Sequence, residues 1–287
     1  MAAESAPPNP GTFQSHFVDR LARLPWWLLI IVVGGLIIFY GFMTSELYSQ
    51  IFAKVAQGIG VSIFVAVVSY MAAIVIGLIV SLGRVSKNPV AYNLSTLYVQ
   101  IIRGIPILVQ IFYVAFVIAP GLVTFLNSLG QLLIPVLGPD NFLAQLTTQD
   151  ISMLARVMIA LAIAYGGFEA ETFRAGIESI GRGQMEAARS LGMSYFQAMR
   201  FVILPQAFRR VLPPLGNDFV SMVKDSSLVS VLGVADMTQQ ARLYAAASFR
   251  YPEAYNTLAY LYLVITFVLS LGVKILENSL SKGGKGS

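Results

Sequence analysis

The chain of 287 residues contains no cysteine and one histidine, His16. These absences exclude disulfides, thiolate chemistry, Cys-based metal centres and any His-rich metal site. Charge is scarce too: Asp, Glu, Lys and Arg make up 11% of the chain, against about 25% in soluble domains. Hydrophobic residues reach 56%, and the mean hydropathy is +0.73. An ordinary soluble enzyme and a wholly disordered chain are both excluded, because neither tolerates so much apolar surface in water. A phosphate-binding Gly-x-x-x-x-Gly-Lys-Ser/Thr loop is also missing; the Lys-Gly-Gly-Lys-Gly at 282–286 lacks both the spacing and a following helix. No nucleotide, metal or other cofactor is expected.

What the chain does have is apolar runs. A bilayer core about 30 Å thick takes about 20 helical residues to cross. Six stretches qualify: 26–43, 58–82, 94–118, 151–171, 211–234 and 254–276. A shorter one at 122–137, with Gly130 and Pro135, reads as a helix lying at the membrane face. The fold expected is an all-α integral membrane protein of about six spanning helices, one N-terminal helix added to a five-helix core. The Pro-rich start reads as a disordered tail, and no cleaved signal peptide is apparent. The expected divisions are a tail at 1–24, an extra helix and connection at 25–54, the core at 55–277 and a flexible tail at 278–287.

The excess of 19 Lys and Arg over 14 Asp and Glu reads as orientation, not as nucleic-acid binding. Arg20 and Arg23, Arg84 and Lys87, six arginines between 174 and 210, and Lys274, Lys282 and Lys285 all fall on one side of a six-span chain; the exceptions, Lys54, Arg242 and Arg250, are few. The 32-residue connection 119–150 carries no Lys or Arg. The positive-inside rule then places both termini in the cytoplasm.

The connector after the fourth span is the most informative segment. Glu186, Ala187 and Ala188 sit in a helix-forming run, Gly192 is a natural helix stop, and Ser194 with Gln197 fits a capping box. A second short helix is expected from Tyr195 until Pro205 ends it. Leu191, Phe196, Met199 and Val202 can line one side of this hairpin. Two readings stand: a plain joint between spans, or a docking lever for a partner protein.

The Glu186-Ala187-Ala188, Gly192, Val202, Leu204-Pro205 pattern resembles the cytoplasmic signature of permease subunits of binding-protein-dependent ABC importers. Arg103-Gly104-Ile105-Pro106-Ile107-Leu108-Val109-Gln110 is similar to a signature of the polar amino acid branch. So are Glu171-Thr172-Phe173-Arg174-Ala175-Gly176-Ile177 and Lys224-Asp225-Ser226-Ser227-Leu228. The resemblance spans about residues 55–275. It implies a bacterial inner-membrane permease, not itself an enzyme, that forms the pathway for polar amino acids, with basic ones among the candidates. It also implies partners: ATP-binding subunits that receive Glu186, Ala187, Ala188 and Gly192, a second permease subunit, and an extracytoplasmic amino acid-binding protein.

Polar groups at bilayer depth are costly and tend to face a pathway or a partner. The pathway candidates are Gln110, Glu171, Lys224, Glu169, Asn217, Asp225 and Ser226. Pro106 is expected to break the third span near midplane, leaving Gln110 to grip substrate or to bond a neighbouring helix; Arg103 snorkels to the headgroups. Glu171 belongs either to an i,i+3 and i,i+4 ladder with Arg174 and Glu178 or to the pathway. Lys224, counted to mid-bilayer, reads as an internal ion-pair partner first and a substrate contact second. The rival function is an ion-coupled transporter or channel, which explains the membrane carboxylates but not the connector.

Overall fold

The computed structural model describes residues 26–138 and 141–283. The expected N-terminal tail lies outside the described residues. The described residues are helical with no strand, as a bilayer demands: without water, each backbone group needs a partner within its own segment. Two units separate, residues 1–52 and 53–287.

In the first unit, α1 (Trp26–Thr44) is apolar on every side, with Ile30, Leu36, Ile37 and Tyr40 all exposed. A helix without a polar stripe suits lipid. Helix α2 (Glu46–Ala56) follows after one residue.

The second unit is built on a central pair, α3 (Ile59–Arg84) and α6 (Met153–Glu178), which run against each other over their length. Small residues allow it. A Cβ on Gly166 would stand 2.6 Å from Ile76, and one on Gly77 would stand 2.5 Å from the Glu169 Cβ. Val65, Ala66, Tyr70 and Ala73 of α3 interlock with Val157, Ala160, Leu161 and Tyr165 of α6 as the main core.

Among the described residues four stretches are long and apolar enough to cross a membrane: Glu46–Arg84, Ile107–Leu132, Met153–Glu178 and Tyr251–Ser279. The third expected span, 94–118, is not one helix. Helix α4 (Pro89–Gly104) begins on an Asn88 cap with Pro89 at its first turn. It ends at Gly104; Ile105 is extended and Pro106 opens the next helix, α5 (Ile107–Leu132). The break expected at Pro106 is therefore present, but it lies ahead of the crossing helix instead of at its middle. The helix expected to lie at the membrane face from 122 is the continuation of α5; only Ile134–Leu137 is separate. Pro120 does not interrupt α5 because the π-turn Val114–Ile118 precedes it and resets the hydrogen-bond register.

The connector forms α7 (Arg182–Ser190), a turn at Gly192 with φ +85°, and α8 (195–225). The Ser194–Gln197 capping box is present in both directions. Pro205 does not end this helix as expected. A π-turn at Met199–Ile203 places Pro205 in the first turn of a fresh register, where its missing amide is not required. The expected fifth span at 211–234 is accordingly the middle and end of a longer helix, closed by the 3₁₀ turn Ser226–Leu232. Helix α9 (Met237–Ser248), capped by Asp236, leads to α10 (Tyr251–Gly283). The last helix runs through 278–283, so the tail expected from 278 is helical over that part, while 284–287 lie outside the described residues.

Candidate functional site

The interior of the second unit carries an acidic group. Glu169 has no exposed surface, and neither carboxylate oxygen has a hydrogen-bond partner among the described residues. It leaves α6 where Gly77 lets α3 approach closely. Around it stand Tyr70, Tyr165 and Asp218. The Tyr70 hydroxyl donates to the Leu215 carbonyl at 2.5 Å, and the Tyr165 hydroxyl donates to Asp225 at 2.8 Å. Tyr70 and Tyr165 meet edge to face at 6.5 Å, and Phe219 leans on Tyr70 at 5.4 Å. Asp218 and Asp225 are half-buried. Among the described residues no Lys or Arg forms an ion pair with Glu169, Asp218 or Asp225. Glu169 and Asp218, with Asp225 on the Tyr165 hydroxyl, thus stand among aromatic rings with no ion-paired cation among the described residues, an arrangement suited to a visiting cation.

The remaining sequence candidates separate from this group. Ser226 is buried and donates to the Val223 carbonyl at 2.8 Å, closing α8. Asn217 is exposed on α8. Lys224 is exposed and sits one residue before the end of α8, not at its middle, because the helix starts sixteen residues before 211, at 195. It forms no ion pair among the described residues, so the internal pairing expected of it is absent. Gln110 is buried, and its amide donates to the Ile102 and Ile105 carbonyls at 2.7 Å each.

Glu171 faces away from Glu169, as an i,i+2 pair on a helix must. Its two oxygens are shared between Arg174, one turn on, and Arg84 at the end of α3; Arg174 also holds Glu178. The expected ladder exists and is extended across helices by Arg84. Arg103 is exposed, and its guanidinium lies over the Phe168 ring at 5.8 Å.

At the connector, Glu186 and Ala187 are exposed while Ala188 is buried. Leu191 and Phe196 are 81% and 70% exposed, a large apolar offering from a polar hairpin. Met199 and Val202 turn the other way and pack on Ile177, Ile180 and Ile203.

Sequence reasoning passed over Arg156. It is buried and bonds only backbone carbonyls, those of Ile151, Ala115 and Thr148. The guanidinium thereby ties the 133–152 connection to the π-turn of α5. A charge at the start of an otherwise apolar run was the available signal.

Long apolar helices with polar groups inside, and a polar hairpin that exposes Leu191 and Phe196, make this an all-helical membrane protein with a surface for a partner. Residues 73–282 match the family of binding-protein-dependent transport system inner membrane components. The chain belongs to that family and is a transmembrane translocation subunit of an ABC importer. It is 32% identical to the Glutamine transport system permease protein GlnP of Escherichia coli, over 77% of this chain and 90% of GlnP. It is 35% identical to the Probable amino-acid permease protein YxeN of Bacillus subtilis, over 83% of this chain and 96% of YxeN. Its fold matches a chain of an amino acid ABC transporter crystallised with histidines at a TM-score of 0.64, with 32% identity over 83% of this chain and 98% of that one. As a member of this family it is a multi-pass inner-membrane protein and a transport component, with ATP-binding subunits and a substrate-binding protein implied as partners.

Proposed function

We propose that this subunit carries polar amino acids with a cationic group, lysine- or arginine-like substrates foremost, inward across the bacterial inner membrane. The observation that carries the reading is the cluster of Glu169, Asp218 and Asp225 with no cation of its own. Half-buried Asp218 and Asp225 meet the substrate's cationic end; Glu169, closed behind them in this conformation, is reached when α3 and α6 part. Tyr70, Tyr165 and Phe219 supply ring faces for the ammonium or guanidinium. The chain has no hydrolytic role of its own.

In the same reading both termini are cytoplasmic, which places the arginine-rich connector beside the ATP-binding subunits. Exposed Glu186, Ala187, Leu191 and Phe196 then present the docking face, with Gly192 setting the angle between α7 and α8. The importer core corresponds to about 55–277, and the helix at 25–54 is an addition to it. A second permease subunit completes the pathway.

The test is uptake into proteoliposomes containing the full complex. Labelled arginine, histidine and glutamine are offered with the matching binding protein. Asp218→Asn is expected to lower cationic amino acid uptake about tenfold or more, as losing one charge-assisted contact does, while glutamine uptake changes little. Equal effects on both substrates would overturn the charge selection. Uptake by this chain alone on an ion gradient would overturn the ABC assignment of the pathway.

A further inference from the structure

The joint between α4 and α5 is held by a side chain where the backbone has nothing to offer. Pro106 has no amide, so the Ile102 carbonyl loses the partner it would have in a continuous helix. Ile105, at φ −108° and ψ 131°, is extended and leaves its own carbonyl outside both helices. The Gln110 amide nitrogen donates to both carbonyls at 2.7 Å, using both of its hydrogens. Gln110 is only 5% exposed, and its Oε1 is buried with no partner among the described residues.

The two limbs of this joint are held differently. The α4 limb is pinned to α6: the Tyr98 hydroxyl donates to the Ile163 carbonyl at 2.7 Å, and Ile102 fills the notch at Gly167. The α5 limb borders a cavity of about 240 Å³, lined by Ile101, Ile105, Val109, Tyr113, Val114 and Ile163 among others. At Gly104 an added Cβ would meet no atom within 4 Å. A new helix starts at Ile107, so a swing of α5 about Ile105–Pro106 breaks no bond within either helix. It strains the two bonds from Gln110 and, further along α5, the Arg156 bond to the Ala115 carbonyl and the packing of Ile111 and Val114 on α6; the cavity provides room for Val109 and Tyr113.

We infer that Ile105–Pro106 is a hinge about which α5 re-angles against the α4–α6 pair during the transport cycle, and that Gln110 is the positioning residue that sets its resting angle. The inference rests on the transport reading through its uptake readout alone; the distance readout stands apart from it.

The test uses the complete transporter in lipid nanodiscs, with cysteine-free partner subunits. Because this chain has no cysteine, Tyr92→Cys on α4 and Phe125→Cys on α5, both at exposed positions, give two unique spin-label sites. Labelled copies are diluted with unlabelled ones. The expected result is a narrow distance distribution that shifts by several ångström between the nucleotide-free and ATP-bound states. Gln110→Leu is expected to broaden the nucleotide-free distribution and to lower uptake about tenfold, with assembly unchanged. Pro106→Ala restores an amide for Ile102 but not for Ile105; in that background Gln110→Leu is expected to have a smaller effect. One distance in both nucleotide states overturns the hinge. A Gln110→Leu distribution as narrow as the parent's, or an undiminished effect in the Pro106→Ala background, overturns the role of Gln110. Should Gln110→Leu fail to assemble, the parent's two-state comparison still decides the hinge. A shifting distance without any uptake by the parent would count against the transport reading and not against the hinge.

Discussion

A methyl group on Gly77 would stand 2.5 Å from the Cβ of Glu169 and 3.0 Å from the Ala170 amide nitrogen. A tight approach of α3 to α6 is thus also a point at which a carboxylate enters the interior. Gly77→Ala is expected to push the helices apart at that height, costing about 1–3 kcal/mol of stability as overpacking does. Thermal unfolding in detergent checks it: an unchanged midpoint would show that the pair yields freely there. Uptake by the same variant should fall further than stability alone explains, because Glu169 moves with α6.

Glu171 is shared between Arg84 and Arg174, and Arg84 has no other carboxylate among the described residues. Removing either end should not cost the same. Glu171→Ala strands the mostly buried Arg84 and is expected to cost about 3 kcal/mol. Arg84→Ala leaves Glu171 with Arg174 and is expected to cost about 1 kcal/mol. Denaturation of the two variants in parallel tests the order; equal losses would mean that the link between α3 and α6 contributes nothing specific.

Gly192 has φ +85°, and an added Cβ would meet no atom within 4 Å. Gly192→Asp therefore adds about 1–2 kcal/mol of backbone strain without a clash, and the subunit should still insert. The angle of α7 to α8 shifts, and substrate-stimulated ATP hydrolysis by the complex is expected to vanish. Normal stimulation with normal uptake would remove the connector from the coupling role.

Asp236 has no exposed surface and caps α9 by accepting from the Gln239 amide at 2.8 Å. Burial pushes its carboxyl above the ordinary range, against the opposing pull of the Gln239 and Thr238 amides. A carboxyl raised in the folded state keeps its proton to higher pH than in the unfolded chain. Its contribution is thus greatest below about pH 4 and is lost as pH rises through the raised value. Asp236→Asn keeps an acceptor for the cap and carries no charge. Its stability relative to the parent is expected to increase from pH 4 to pH 7, read as unfolding midpoints across a pH series. A difference that stays flat or falls would refute this sign.

The spans at 58–82 and 254–276 were legible because each is a long apolar run, and in lipid such a run has little choice but a helix. The hairpin turn was legible for a local reason as well: Gly192 and the Ser194–Gln197 box act over four residues. Helix ends were less legible: π-turns at Met199–Ile203 and Val114–Ile118 let helices pass Pro205 and Pro120, so the helix that carries Lys224 starts at 195 and not at 211.

The sequence by itself determined that this chain lives in a membrane, that its elements are helices, and that residues 186–205 form a signature-bearing hairpin. All of these follow from composition and from patterns a few residues long. Only the tertiary structure decided which polar groups share a site. Gln110 and Glu169 were both candidates in the sequence; one mends a broken backbone and the other stands beside Asp218. That division depends on which helix each side chain faces, and helix facing is set by the close approach of α3 to α6 through glycines far apart in the chain.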